Sequence, residues 1–311
     1  MPGLAPGGRR SYENSFVPLG MFFVELKDDP LIERVRAGTI RAYLAWRRTH
    51  LVPRRGKDGR EKPPAGTVSA HTVARDYRVL KRLFRYAVKT EYLDADPVAK
   101  VEAPRTDPRT PYILKADEYE RLLDACEDRE MLGIYVLVLG ETGARAYSEA
   151  LMLRWEDVDL NEGFIHVRSG RGGHRTKSGK SRWVPMTVGL AEAMRDHFGR
   201  YRLMTYHGAR TPWIFHHTRD RQRVKAGARI RSMRRAFAAA LEQAKLPAIR
   251  PHDLRHRRVT TWLAEGKPAA LVQEAMGHST ITTTLGYSHL SRQHLRALVD
   301  EPARETKSNT A

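Results

Sequence analysis

The sequence contains a single cysteine, Cys126, in 311 residues. That excludes an internal disulfide and any zinc site built from a cysteine cluster. No run of about 20 apolar residues occurs, so no bilayer-spanning helix is predicted. The N-terminus, MPGLAPGGRRSYENS, lacks the apolar core of a secretion signal. Together these absences predict a soluble, intracellular chain. Acidic residues are also scarce: 36 Asp and Glu stand against 55 Lys and Arg, a formal charge of +19. An apolar share of 41% is ample for a core and excludes a disordered basic tail. The excess charge points to a polyanionic partner, nucleic acid above all. A solvated basic surface is the plain alternative.

At roughly 150 residues per domain, the length predicts two domains. The stretch 103–111, APRTDPRTP, has three prolines and no apolar periodicity, the marks of an extended linker. It places the boundary near residue 106. The charge is +9 over residues 1–106 and +10 over 107–311, so both halves are basic. This suits two domains gripping one polyanion. Before the linker the pattern is helical. Residues 39–49 predict one helix, and 50–69 a long basic loop. Ser69 or Thr72 then caps a helix running to about Thr90. Its apolar positions, Val73, Tyr77, Leu80, Phe84 and Ala87/Val88, form one face. Arg75, Arg78, Arg82, Arg85 and Lys89 form a second stripe, roughly opposite. A solvated face usually mixes signs at i±4; this one has only Asp76 and Glu91 nearby, which favours a phosphate-facing helix.

After the linker, Asp117 is expected to cap a short helix, and Met131–Leu139 to form a buried one ending near Thr142-Gly143. Residues 164–168 and 182–186 read as strands of a β-hairpin with a long glycine-rich tip. Helices are expected over roughly 187–203, 226–245, 253–264, 268–276 and 291–299. The tail 301–311 and the first 15 residues are expected to be disordered.

The hairpin tip, RSGRGGHRTKSGKS, suggests a nucleotide-binding loop but fails the test. That motif needs a glycine five residues before Gly179, where His174 stands, and a helix afterwards, where WVPM follows. What remains is six bases (Arg168, Arg171, Arg175, Lys177, Lys180 and Arg182) without an acid, either a polyanion contact or a solvated loop. His252 and His256, at i and i+4, would share a helix face as metal ligands do. No carboxylate joins them there and nothing in the spacing requires His278 as a third, so the metal reading is weak.

Four segments point elsewhere: Thr142-Gly-Ala-Arg145, Thr176-Lys177-Ser-Gly-Lys, His252-Asp-Leu-Arg255, and Gly277-His278 with Tyr287 nine residues after the histidine. With LRWEDVDL, RWVPM and EAMGHSTITTTLGYSHL around them, they resemble the tyrosine recombinase (phage integrase) family. The resemblance covers about 110–295. It extends more loosely over 39–100, where TVARDYRVLKRLFRYAVKTEYLDADPV is similar to the family's core-binding domain. Single motifs such as HxxR arise by chance; this ordered set at family-like separations does not.

The resemblance implies metal-free transesterification. Tyr287 would be the nucleophile, leaving a 3′-phosphotyrosyl bond that a 5′-hydroxyl can attack. Its phenol, with an ordinary pKa of about 10, needs help losing its proton. Arg145 and Arg255 would clamp the non-bridging oxygens. His252 and His278 would donate to the phosphate or shuttle a proton. Lys177 would protonate the leaving oxygen, with Lys180 as competitor. Neither metal nor other cofactor is implied. One departure matters. Family members usually read TGxRxxE, whereas Glu149 lies four residues after Arg145. A helix turns 100° per residue, so both can be in place only if a bulge or altered helix start absorbs the extra residue. The spacing therefore puts the supporting role of Glu149 in question.

The expected fold is mainly α (α+β). A helical core-binding domain spans 1–106, and a mainly helical catalytic domain with a small antiparallel sheet spans 107–300. Both would close on double-stranded DNA as a clamp. Arg175, Lys180, Arg231, Arg234, Arg257 and Arg258 are expected DNA contacts, with the stripe at 75–89. Residues 219–235 carry eight bases and one acid. The resemblance implies a homotetramer in synapsis and strand exchange through a Holliday junction; helix 291–299, after Tyr287, is expected either to dock on a neighbouring protomer or to pack on its own domain. The alternatives are a type IB topoisomerase-like enzyme and a catalytically silent DNA-binding regulator.

Overall fold

The computed structural model describes residues 6–27, 31–51, 54–55, 61–62, 68–107, 111–169 and 179–287. The chain divides into two units, residues 1–109 and 110–311.

In the first unit, helix α1 (Pro6–Glu25), α2 (Ala37–Thr49) and α3 (Ala70–Lys89) pack on one another. Ser69 caps α3 by accepting the Thr72 N–H at 3.2 Å. The apolar face of α3 is buried as its spacing demands: Val73, Tyr77, Leu80 and Phe84 join Phe22, Ile40 and Tyr43 in one core, and Ala87 is buried as well. Under this core lies a fully buried carboxylate, Asp76. It accepts from Ser15 Oγ (2.7 Å), Arg47 Nε (3.0 Å) and Arg75 Nη2 (3.0 Å). Helix α1 takes in residues 6–15 of the stretch expected to be disordered, while residues 1–5 lie outside the described residues. Despite its glycines and Pro18, burial of Phe22 and the Ser15–Asp76 bond hold it in place. The expected loop at 50–69 contains a short antiparallel pair, β1 (Arg54–Arg55) with β2 (Glu61–Lys62).

In the second unit, α4 (Ala116–Asp124) begins at Lys115, whose N–H is accepted by Glu118 at 2.9 Å. Glu118, not Asp117, closes this end. Helix α5 (Glu130–Thr142) is apolar all round and central to the core. It ends at Gly143, whose φ of 65° is left-handed. Strands β3 (Val158–Asp159), β4 (Phe164–Val167) and β5 (Arg182–Pro185) form an antiparallel sheet, with Phe164 opposite Pro185 and Val167 opposite Arg182. Helix α6 (Val188–Tyr201) follows, then the small ladder β6 (Thr205–Tyr206) and β7 (Ala209–Arg210). Helix α7 covers only Arg234–Gln243. Residues 226–233, expected to be helical, instead form a turn and an irregular stretch outside any helix. Ile230 N–H donates to Phe215 O (2.9 Å), and His217 N–H to Ala228 O (2.9 Å), beside Gly227 at φ 80°. Helices α8 (Asp253–Ala264), α9 (Ala269–Met276) and α10 (Ile281–Leu285) complete the described unit. No described helix is long and apolar enough to cross a membrane.

Candidate active site

The helix ends do the positioning. Thr142 Oγ1 donates to Val138 O (2.5 Å) and accepts the Ala144 N–H (3.1 Å), shaping the turn that carries Arg145 off α5. The extra residue before Glu149 is absorbed here. Ala150 N–H donates to Arg145 O at 3.0 Å, an i→i+5 bond that sits beside the i→i+4 bond from Glu149 N–H. Leu151 N–H makes the next i→i+5 bond, to Ala146 O at 3.4 Å, and the two together form a π-type turn. Within it the fully buried Glu149 carboxylate swings back to Arg145, accepting its backbone N–H (2.9 Å) and a guanidinium N–H. It also accepts Arg182 Nη1 (3.2 Å) and Nη2 (2.7 Å). Burial alone would raise the Glu149 carboxyl; the Arg182 hydrogen bonds and the charges of Arg182 and Arg145 outweigh it and hold the group at about 2. Glu149 thus orients Arg145 despite its spacing, and the question the sequence raised about it is resolved in its favour.

Arg255, on the first turn of α8, is buried. It donates from Nη1 to Gly143 O and from Nη2 to Met276 O, both at 2.6 Å. These bonds tie the ends of α5 and α9 to one guanidinium and leave each Nη a second proton. Burial, then the charge of Arg145, pushes its pKa down to about 9, so it stays cationic at neutral pH. Arg145 Nη2 reaches Gly277 O at 3.4 Å. Gly277, left-handed at φ 63°, lets α9 stop and present His278. His278 Nδ1 lies 2.8 Å from the buried Thr284 Oγ1, and its ring stacks on Tyr287 at 6.2 Å. Burial, then the charge of a neighbour (His256 for His252, Arg255 for His278), lowers both imidazoles to about 4. Both are therefore neutral at pH 7. Burial raises the half-buried Tyr287 phenol, while Arg255 and Arg145 pull the other way.

So Arg145, His252, Arg255, His278 and Tyr287 converge, drawn from separate stretches of chain. Lys177 and Arg175 lie outside the described residues, as do residues 288–311. Among the described residues, no three His, Cys, Asp or Glu side chains group as metal ligands. His256 does not join such a set; its Nδ1 lies 2.8 Å from Tyr287 Oη. Sequence reasoning assigned it no role here, although its i+4 spacing from His252 marked the shared face.

The expected DNA contacts divide. Arg78, Arg82, Arg85, Lys89, Lys180, Arg231 and Arg234 are exposed. Arg75 is instead tied to Asp76. Arg257 and Arg258 are corrections: Arg257 stacks half-buried on Tyr119 (4.0 Å), while Arg258 is buried, stacks on Trp262 (4.7 Å) and pairs with Glu141 (3.2 Å). Both point inward because α8 is buried on several sides. In the hairpin, Arg168 pairs with Asp157 (2.7 Å) and Arg182 with Glu149, so these two bases serve the fold. A groove beside Trp213 has exposed basic walls at Arg223, Lys225 and Arg231.

Residues 113–294 match the phage integrase family. The chain belongs to that family. It is 31% identical over 235 residues to tyrosine recombinase XerC of Pseudomonas putida (strain W619), covering 75% of this chain and 74% of that one. To tyrosine recombinase XerD of Staphylococcus saprophyticus it is 27% identical over 241 residues, covering 75% and 76%. Its fold is similar to the Tn1549 transposon integrase in complex with transposon right end DNA, with a TM-score of 0.70, 20% identity, and 96% and 94% coverage. XerH recombinase bound to palindromic difH gives a TM-score of 0.68 at 19% identity, covering 93% and 78%. This tyrosine recombinase is a site-specific DNA recombinase that cleaves and religates DNA. The topoisomerase-like and silent-regulator readings are not favoured.

Proposed function

We propose that Tyr287 is the nucleophile of strand cleavage and that Arg145 and Arg255 clamp the scissile phosphate. The phenolic oxygen attacks phosphorus, the P–O5′ bond breaks, and a 3′-phosphotyrosyl bond conserves the energy for religation. Three guanidiniums, Arg145, Arg182 and Arg255, set against one carboxylate, Glu149, leave net positive charge for the pentacoordinate phosphorane. Neutral His252 and His278 donate hydrogen bonds to it, and Lys177 protonates the leaving oxygen. Arg78, Arg82, Arg85, Lys89, Arg231 and Arg234 hold the DNA backbone. The recombinase acts in the cytoplasm as a homotetramer that joins two DNA sites.

The supporting observation is the Tyr287 hydroxyl, half-buried against two imidazoles and within the field of Arg255 and Arg145. The test uses a nicked suicide duplex whose sequence is enriched from a randomised pool by the wild-type protein. Wild type should give an SDS-resistant protein–DNA adduct and Tyr287→Phe none; an adduct from Tyr287→Phe sinks the assignment. Lys177→Ala should slow cleavage more than Lys180→Ala, and the reverse result would reassign the acid. Chelation by EDTA should leave adduct formation intact.

A further inference from the structure

His256 lies on the same face of α8 as His252 and Arg255, and its ring is 5.3 Å from that of Tyr287. Its Nδ1 is 2.8 Å from the Tyr287 hydroxyl oxygen, within the range of a direct hydrogen bond. On its far side, Asp253 Oδ1 lies 3.9 Å from Nε2. That charge favours the Nε2–H tautomer and leaves the Nδ1 lone pair for the phenol. Asp253 is itself held by Arg250, through Nη2 at 2.8 Å and the backbone N–H at 2.8 Å. The order Arg250–Asp253–His256–Tyr287 is that of an activated nucleophile: acceptor beside it, orienting acid behind.

We propose that His256, rather than His252, accepts the Tyr287 proton during cleavage. This rests on the assignment of Tyr287 as nucleophile. As the Oη–P bond forms, the phenol proton passes to His256 Nδ1. The P–O5′ bond breaks, and the leaving oxygen takes its proton from the acid assigned to Lys177. On religation the 5′-hydroxyl attacks phosphorus and gives its proton back to the acid assigned to Lys177, the Oη–P bond breaks, and His256 returns its proton to the Tyr287 oxygen.

The charge environment agrees. Burial lowers His256, Asp253 raises it, and Arg250 and Arg255 lower it again, so the imidazole is neutral near pH 7. His252, with its ring centre 5.1 Å away, and His278 are neutral as well. A neutral imidazole can accept, which a protonated one cannot. Burial pushes the phenol up and His256 down, so transfer ahead of attack is uphill and the proton moves with the nucleophile.

The test compares wild type, His256→Gln and Tyr287→Phe on the enriched suicide duplex, timing adduct formation under single-turnover conditions. Glutamine can accept the phenol's hydrogen bond but not its proton. His256→Gln should cleave about 10²–10⁴-fold more slowly near neutral pH. Its rate should climb about tenfold per pH unit from about pH 7 to 9 as hydroxide replaces the base, while wild type stays flat. A variant rate within about threefold of wild type, or one depressed equally at every pH, overturns the proposal. An adduct from Tyr287→Phe would instead sink the nucleophile assignment beneath it. A second measurement needs no histidine variant: nitrogen-15 spectra of the histidines in wild type and Tyr287→Phe. His256 should be the Nε2–H tautomer with an Nδ1 resonance that moves when the hydroxyl is removed. An Nδ1–H tautomer, or no movement, contradicts the proposal.

Discussion

Replacing Glu149 by glutamine keeps the side chain's shape and removes its charge. A carboxyl held at about 2 instead of its ordinary 4.5 has its charged form favoured in the folded state by about 3 kcal/mol. Arg182 has 6% of its side chain exposed and would lose its anionic partner. Breaking a buried pair from one side costs about 3–5 kcal/mol, in agreement with the first figure. The expected loss is therefore about 3 kcal/mol at neutral pH, or a Tm fall of roughly 6–12 °C for the second unit. The sign of the pH dependence follows from the lowered pKa. The contribution of Glu149 is complete above about 4.5 and fades as pH falls toward about 2. Urea unfolding of both proteins at neutral pH and near pH 3.5 measures this. The stability gap should narrow in acid. A gap under about 0.5 kcal/mol at neutral pH, or one that does not change with pH, would refute the claim that Glu149 is an ionised brace for Arg145 and Arg182.

Gly143→Ala should lose about 1–2 kcal/mol from the left-handed backbone alone. It should lose more because the new methyl meets the Met276 side chain. Adding Met276→Ala should not restore the backbone part, and urea titration reads both. Arg82→Ala with Arg85→Ala should lower the slope of log affinity against log salt by roughly 0.9 per residue. Arg258→Met should leave that slope unchanged but lower thermal stability, because its guanidinium serves Glu141 and Trp262 rather than phosphate. Fluorescence titrations across a salt series separate these two roles of arginine.

Periodicity carried the reading of α3 because its apolar spacing and its Ser69 cap agree with its burial. The segments bearing Arg145, Arg255, His278 and Tyr287 were legible because each lies at a helix end, where local sequence sets the turn. Partnerships were not legible. Arg257 and Arg258 differ from Arg255 by two and three positions, yet which face of α8 meets Tyr119, Glu141 or the site depends on packing far along the chain. The Arg182–Glu149 pair joins residues 33 positions apart, and no spacing rule connects a strand end to a turn. Residues 226–233 are rich in alanine and arginine and look helical, but pairing with 215–217 and the left-handed Gly227 override that preference. The extra residue at Glu149 defined a question that only a π-type turn could answer. His256 was visible as a partner of His252, but the hydroxyl it meets is 31 positions away.

The central claim is that Tyr287 carries the DNA during strand exchange. The most direct measurement digests the wild-type adduct with protease and nuclease and sequences the peptide bearing the nucleotide remnant by mass spectrometry. The account predicts the remnant on Tyr287, within the segment ITTTLGYSHL. A remnant on any other residue, or a phosphate linked at its 5′ rather than its 3′ oxygen, would contradict it.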